Sequence, residues 1–358
     1  MNQWFKGAAS IMLIALMCIS LIGCMPNNAA SAETSEASSP AVETSETPQD
    51  TANASASEKA TESAESQMTI GYATKSNTNT GWVLINNGAQ QAADDYGVNL
   101  MMLGPPKDND IAGQLGVVED MINNNVDALA IAPCDSAGIV SAVEKANDKN
   151  IPVVAIDTGI AGGKVASWVA TDNEKAAALG GEWMGDQLGG KGTVVMINGM
   201  IAQETGAARR NGFYNAITAK YPDIKIYEVA SDWDATKALS GMEDSIQALD
   251  QIDGVFCAWD GGTIAILPAL EQAGIIDKVV LLGFDSDPNV LSAMKKGKVK
   301  GDVAQYLFQI GYKGIETAIK AAKGEEVEPR IDTGTMVVTP ENVDQFISDN
   351  GLSDYMPK

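Results

Sequence analysis

The segment IGYATKSNTNTGW, residues 70–82, runs from an apolar, β-prone stretch into a polar loop. It brings a cation (Lys75), an amide (Asn79) and a flat indole (Trp82) together. Comparable groups close other apolar runs. Asp157 ends VVAID, Asp285 ends VLLGFD, Trp233 lies in SDWD just after IKIYEVA, and Trp259 ends VFCAW. Arg209 stands in QETGAARRNGF, behind the run VVMING. Carboxylates, a guanidinium and amides can pair with adjacent hydroxyls, because each hydroxyl both donates and accepts. Indoles offer flat apolar faces to the C–H side of a ring. A monosaccharide displays both surfaces, so Lys75 and Asn79 are expected to hold hydroxyls while Trp82 packs on the ring.

Such a site needs elements that bring distant residues to one edge. From Met68 onward, short near-continuous apolar runs alternate with amphipathic stretches such as VLINNGAQQAADDYG, IVSAVEKANDKN and EKAAALGGEWMGDQLGG. That alternation indicates βαβ units and parallel sheets covered on both faces. Ten such runs suggest two doubly wound sheets of about five strands each, divided near ATDNEKAA, where Thr171 or Asp172 caps a helix and Glu174 completes a capping box. In open parallel sheets, ligands bind beyond the carboxyl ends of the strands, where the residues above fall. Asp135 and Asp260 begin helices and read as N-caps. Trp168 and Trp183 read as core, and the plainer alternative for Arg209 is a surface pair with Glu204.

Composition narrows the function. The 358 residues favour two domains. A formal charge of −23 and a pI near 4.2 disfavour nucleic acid and anionic membrane surfaces as partners. The chain contains no histidine, which excludes a Ser-His-Asp triad and His-based metal sites. At the N-terminus, Lys6 precedes the apolar run IMLIALMCISLIG, too short for an ordinary membrane span. The run ends in LIGC, which resembles a bacterial lipobox and implies a signal peptide over 1–23 with lipid attached to Cys24. Residues 25–67 are mostly Ala, Ser, Thr, Glu, Pro, Asn and Gln, and are expected to form a disordered spacer reaching roughly 35 Å. Domain and ligand are then expected outside the cytoplasm, tethered to the membrane by the lipid alone.

Across residues 68–340 the blocks NNGAQQAADDYGVNL, IAPCDS, IPVVAID, ATDN, GAARRNGF, SDWDATKAL, VFCAWD, LLGFD and VAQYLFQIGYKG occur in the order seen in type I periplasmic binding proteins of the ribose/allose class. The chain resembles that family, the solute receptors of sugar ABC transporters. The resemblance implies two doubly wound parallel-sheet lobes joined by a three-strand hinge. The N-lobe would span 68–171 plus about 306–333, and the C-lobe 172–305 plus about 334–358. It implies hinge closure over a monosaccharide or polyol, delivery to an ABC permease with its ATPase, a monomer, no cofactor, no metal and no catalysis. By position it implies contacts from Lys75, Asn79, Trp82, Asp157, Arg209, Trp233, Asp285 and Gln305. Cys134 and Cys257 would fall in opposite lobes and are expected to remain thiols, because a bridge would oppose closure.

The sequence departs from that pattern at three positions. Trp259 stands where relatives have an Asn, so a hydrogen-bonding group gives way to an apolar face. Gly81 replaces a common aromatic, and Thr158 follows Asp157 where the ribose binder has Arg. These departures argue against ribose and leave a hexose, a deoxy sugar, a sugar alcohol or a cyclic furanosyl signal. A sensory receptor without transport is a second reading. An anchored glycosidase using Asp157 and Asp285 is a third, although nothing singles out a proton donor.

Overall fold

The computed structural model describes residues 67–77, 79–105 and 110–357. The expected signal peptide, Cys24 and nearly all of the expected spacer lie outside the described residues. Five strands come first: β1 (Thr69–Ala73), β2 (Asn99–Leu103), β3 (Ala128–Ile131), β4 (Val153–Ile156) and β5 (Ser167–Ala170). Five more follow: β6 (Lys191–Asn198), β7 (Asp223–Ala230), β8 (Gly254–Cys257), β9 (Val280–Asp285) and β10 (Gly301–Ala304). Two short late strands are β11 (Arg330–Asp332) and β12 (Val337–Val338).

They form two sheets, ordered β11-β5-β4-β3-β1-β2 and β12-β10-β9-β8-β6-β7. Each sheet has six strands rather than five, because the last connection adds one short strand to each edge. All pairings are parallel except β10 with β12, which is antiparallel. Strands β3, β4 and β8 are buried along their whole length, as apolar runs covered on both faces must be. On the first sheet the covering helices are α1 (Thr80–Tyr96), α2 (Ile111–Asn123) and α3 (Val140–Asp148). Those on the second begin with α4 (Asn173–Gln187), α5 (Glu204–Lys220), α6 (Ala235–Ala248), α7 (Asp260–Gln272) and α8 (Pro288–Lys295). Helix α9 (Leu307–Ala322) returns to the first sheet and α10 (Val343–Asp349) to the second.

The chain therefore passes between lobes three times, after β5, after β10 and between β11 and β12. The first and third crossings are tied together. Arg330 donates to the carbonyls of Trp168 (3.2 Å), Ala170 (2.9 Å) and Thr171 (3.0 Å). The Asp172 backbone N–H donates to Asp332 Oδ1 at 3.2 Å. The Arg330 guanidinium also lies 4.1 Å over the Trp168 ring, so this half-buried indole braces the hinge instead of joining the core as expected.

Asp172 caps α4 by accepting from the Lys175 N–H. Glu174 then falls one position short of N3, and the expected capping box does not form. Helices α1 and α9 approach closely because neither has a side chain at the crossing. A methyl at Gly88 would meet the Phe308 carbonyl oxygen at 2.0 Å, and one at Gly311 the Ile85 oxygen at 1.9 Å. That contact fixes the N-termini of both helices beside one another. Cys134 and Cys257 are buried, and no disulfide joins them.

Candidate functional site

All nine residues singled out from the sequence line one cavity of about 120 Å³ at the strand ends: Lys75, Asn79, Trp82, Asp157, Arg209, Trp233, Trp259, Asp285 and Gln305. On the first-lobe wall, Lys75 leaves β1 and reaches the loop after β4. Its Nζ lies 3.2 Å from Asp157 Oδ2 and 2.5 Å from Thr158 Oγ1, and Thr158 in turn donates to Asp157 at 2.8 Å. Both side chains of the Lys75–Asp157 pair are 8% exposed. The ammonium also sits 5.4 Å from the centre of the Trp82 ring, within cation–π range. Asn79 is the N-cap of α1. Its Oδ1 accepts from the Gly81 and Trp82 N–H groups, so only its amide nitrogen can serve a ligand.

The opposite wall is built around Arg209, which is 4% exposed. Its Nε donates to Asn173 Oδ1 at 2.8 Å, and Nη1 to the Ala258 carbonyl (2.7 Å) and Asp285 Oδ1 (3.0 Å). The guanidinium lies 3.9 Å over Phe284 and 5.7 Å from Trp233. Asp285 also accepts from Gln305 Nε2 at 2.7 Å. Burial pushes the Asp285 carboxyl above the usual range, while Arg209 and Gln305 pull it down. Trp233 and Trp259 meet edge to face, with ring centres 5.5 Å apart.

Three of these groups are held by unusual backbone. Asp157 has φ 62°, Trp233 φ 62° and Asp285 φ 128°, all in the region that disfavours side-chain-bearing residues. Such strain persists where the surrounding structure over-determines it, often at binding sites.

Sequence reading missed Ser76, Gln203, Thr205 and Leu307, which also line the cavity. Gln203 was legible in principle, since it precedes the helix that carries Arg209. Its Oε1 accepts from Trp233 Nε1 at 2.8 Å while its Nε2 donates across the lobes to the Cys134 carbonyl at 2.5 Å. Other contacts also cross the cleft: Thr158 Oγ1 to Thr205 Oγ1 (3.4 Å), Glu204 N–H to Ser136 Oγ (3.2 Å) and Asn289 Nδ2 to Thr80 Oγ1 (3.3 Å). The lobes are therefore closed on each other.

Neither expected N-cap caps a helix. Asp135 accepts from the Ala137 and Gly138 N–H groups in the turn before α3, whose own N-cap position is Ile139. Asp260 differs again. It occupies the first position of α7 and turns its carboxyl to the Phe284 and Asp287 N–H groups. Glu204 does not compete for Arg209, whose carboxylate partner is Asp285. Among the described residues no group of His, Cys, Asp and Glu is arranged to hold a metal ion.

Known proteins place this geometry. The model of the periplasmic binding protein domain matches residues 70–326. The ribose import binding protein of Haemophilus influenzae is 32% identical over 277 residues, covering 77% of this chain and 93% of that protein. The D-allose-binding periplasmic protein of Escherichia coli is 33% identical over 266 residues, covering 71% and 85%. An ABC transporter solute binding protein from Agrobacterium vitis, solved with bound D-fucose, is 31% identical with a TM-score of 0.74, covering 79% and 99%. These relatives are solute receptors and not enzymes. With its two parallel-sheet lobes, its hinge and its strand-end cleft, the chain belongs to the type I periplasmic binding proteins of the ribose/allose class.

Proposed function

We propose that this protein binds a neutral monosaccharide or polyol between its lobes and presents the closed form to an ABC permease with its ATPase. The observation that carries the reading is the charge balance of the cleft. Its four charged side chains form two internal pairs, Lys75 with Asp157 and Arg209 with Asp285, one on each wall. A ligand with a net charge would have to break a pair, whereas hydroxyls can donate to the carboxylates and accept from the cations while both pairs stand. Trp82, Trp233 and Trp259 supply the apolar walls for the ring. The relatives named above carry ribose, D-allose or D-fucose in their descriptions, in keeping with this class.

The same pairing disfavours the glycosidase reading. Asp157 is engaged by Lys75 and Thr158, and Asp285 by Arg209 and Gln305, which leaves no carboxyl placed to deliver a proton.

A thermal-shift panel of D-ribose, D-allose, D-arabinose, D-fucose, xylitol and myo-inositol, with D-glucuronate and D-glucosamine as charged controls, tests the proposal. A ligand at 100 times its Kd adds about 2.7 kcal/mol of stability. At least one neutral compound should raise the melting temperature and neither control should. A shift confined to the charged compounds would overturn the reading.

The proposal includes anchoring through lipid on Cys24, supported by LIGC at the end of the apolar run. Cys24→Ala should leave the protein unprocessed or release it, because the lipid is its membrane attachment. Detergent-phase partitioning measures this. Partitioning equal to that of the parent would refute a lipid on this residue.

A further inference from the structure

Beneath the second-lobe wall, two carboxyls that the sugar reading does not use face each other with no cation between them. Asp302, on β10, is fully buried. Its Oδ1 accepts from the Ser286 N–H (2.8 Å) and Oγ (2.9 Å), while its Oδ2 faces no N–H or O–H donor. Asp260, 2% exposed, accepts from the Phe284 N–H (3.1 Å) and from the Asp287 N–H (2.7 Å). The two meet over Gly283: a methyl there would lie 2.3 Å from Asp302 Oδ2 and 2.6 Å from Asp260 Oδ1. Only glycine leaves room for that meeting.

Two bare carboxylates at such range in a buried site repel strongly, so one proton must sit between them. The hydroxyl at that meeting point, Thr263 Oγ1, is 3.1 Å from the same methyl position and donates to the Trp259 carbonyl. Asp285 on β9 and Asp287 at the start of α8 add negative charge, and the Cys257 thiol on β8 is neutral, its pKa pushed up to about 12 by burial. From β12 come Val337 and Val338, and from α4 Gly180 and Trp183 pack against β10. Arg209, the cation of this wall, is committed to Asp285.

The pair grips the backbone that aims Asp285. Between them, Asp260 and Asp302 hold the N–H groups of Phe284, Ser286 and Asp287, and the Asp260 N–H reaches Asp285 Oδ2 at 3.4 Å. Asp285 (φ 128°) and Ser286 (φ 62°) are both strained, so this turn needs holding. The geometry points to a proton-sharing acid pair, Asp260 with Asp302, that positions Asp285 and makes the binding wall sensitive to pH. The pair exists whatever the solute; its consequence for binding rests on the sugar reading.

Burial raises both carboxyls, Asp302 to about 7. A folded-state value above the unfolded one means stability that is fully present below the ordinary carboxylate range and lost as pH rises through about 7. With no histidine in the chain, no imidazole titrates in that window.

Asp302→Asn tests the pair. An amide there keeps Oδ1 for Ser286 and donates to an ionised Asp260, which preserves the charge and removes the proton. Asp260→Asn is different, because both Asp260 oxygens accept backbone N–H groups and an amide nitrogen would face one of them. Aspartate carboxyl 13C NMR and melting curves from pH 4.5 to 9 should show one parent carboxyl titrating near 7. The Asp285 resonance should move in step, and melting temperature should fall across that range. Asp302→Asn should abolish all three effects and match the parent at low pH, while Asp260→Asn melts lower at every pH. The inference is overturned if no parent carboxyl titrates in that window, a result that needs no variant to fold. Equal pH profiles for parent and Asp302→Asn, or equal behaviour of the two variants, overturn it as well.

Discussion

Arg209→Ala should abolish detectable binding of the sugar that gives the largest thermal shift. Arg209 makes three hydrogen bonds from a site only 4% exposed, to Asn173, to the Ala258 carbonyl and to Asp285. Truncation removes the donors and leaves the Asp285 carboxylate buried without its cation. Breaking a buried charged pair costs about 2–5 kcal/mol. That is a loss of about 30- to 5,000-fold in affinity. Arg209→Lys should rescue little, since one ammonium cannot reproduce a planar fork that reaches three oxygens. Trp259→Asn should act far more gently. It removes one apolar face and the edge-to-face partner of Trp233, about 0.5–1.5 kcal/mol beyond area. It should also move preference toward a more hydroxylated sugar. Titration calorimetry decides between these magnitudes, and an Arg209→Ala variant that binds within a few-fold of the parent would remove Arg209 from the site.

The contrast between these two residues shows what a sequence can and cannot reveal. The inner strands were legible because a strand buried on both faces must be apolar along its length, as the runs ending in Asp157, Asp285 and Trp259 are. The edge strands β2 and β7 are largely not buried and were read from their β-prone composition. The strand-end rule then placed eight of the site residues on one edge without any knowledge of their contacts, and the family resemblance alone added Gln305. Strands β11 and β12 were not legible, because three and two residues are too short to show a pattern. Pairing was less legible still. Arg209 could have met Asp157 or Asp285, and only the fold shows that Asp285 is its partner while Asp157 belongs to Lys75, 82 positions earlier. Asp260 looked like a cap because it begins a helix. Its actual partners, the Phe284 and Asp287 N–H groups, lie 24 and 27 residues onward. Asn79 was read as a sugar contact and turns out to spend its oxygen on a helix end, a local bond that competes with any ligand.

Lys75→Met should destabilise the folded domain more than it changes its shape. Lys75 and Asp157 are both about nine-tenths buried, and the ammonium holds Asp157 Oδ2 and Thr158 Oγ1 together. Methionine fills the volume of the lysine stem but supplies no charge. Asp157 then stays buried near Glu204, a half-buried acid whose own proton affinity is already raised by burial and by the Asp157 charge. Removing one partner of a buried ion pair costs about 3–5 kcal/mol, whereas removing both can be neutral. At about 2–4 °C per kcal/mol for a domain of this size, Lys75→Met should melt about 6–20 °C lower. Asp157→Asn added to it should recover most of that loss, because the amide is neutral and still accepts from Thr158. Neither variant should bind sugar, since the first-lobe wall loses its cation in both. Denaturant unfolding of the parent, both single variants and the double variant gives the coupling directly. A double variant no more stable than Lys75→Met would mean that the lysine acts through packing alone, and the Lys75–Asp157 pair would then lose its place in the charge balance of the cleft.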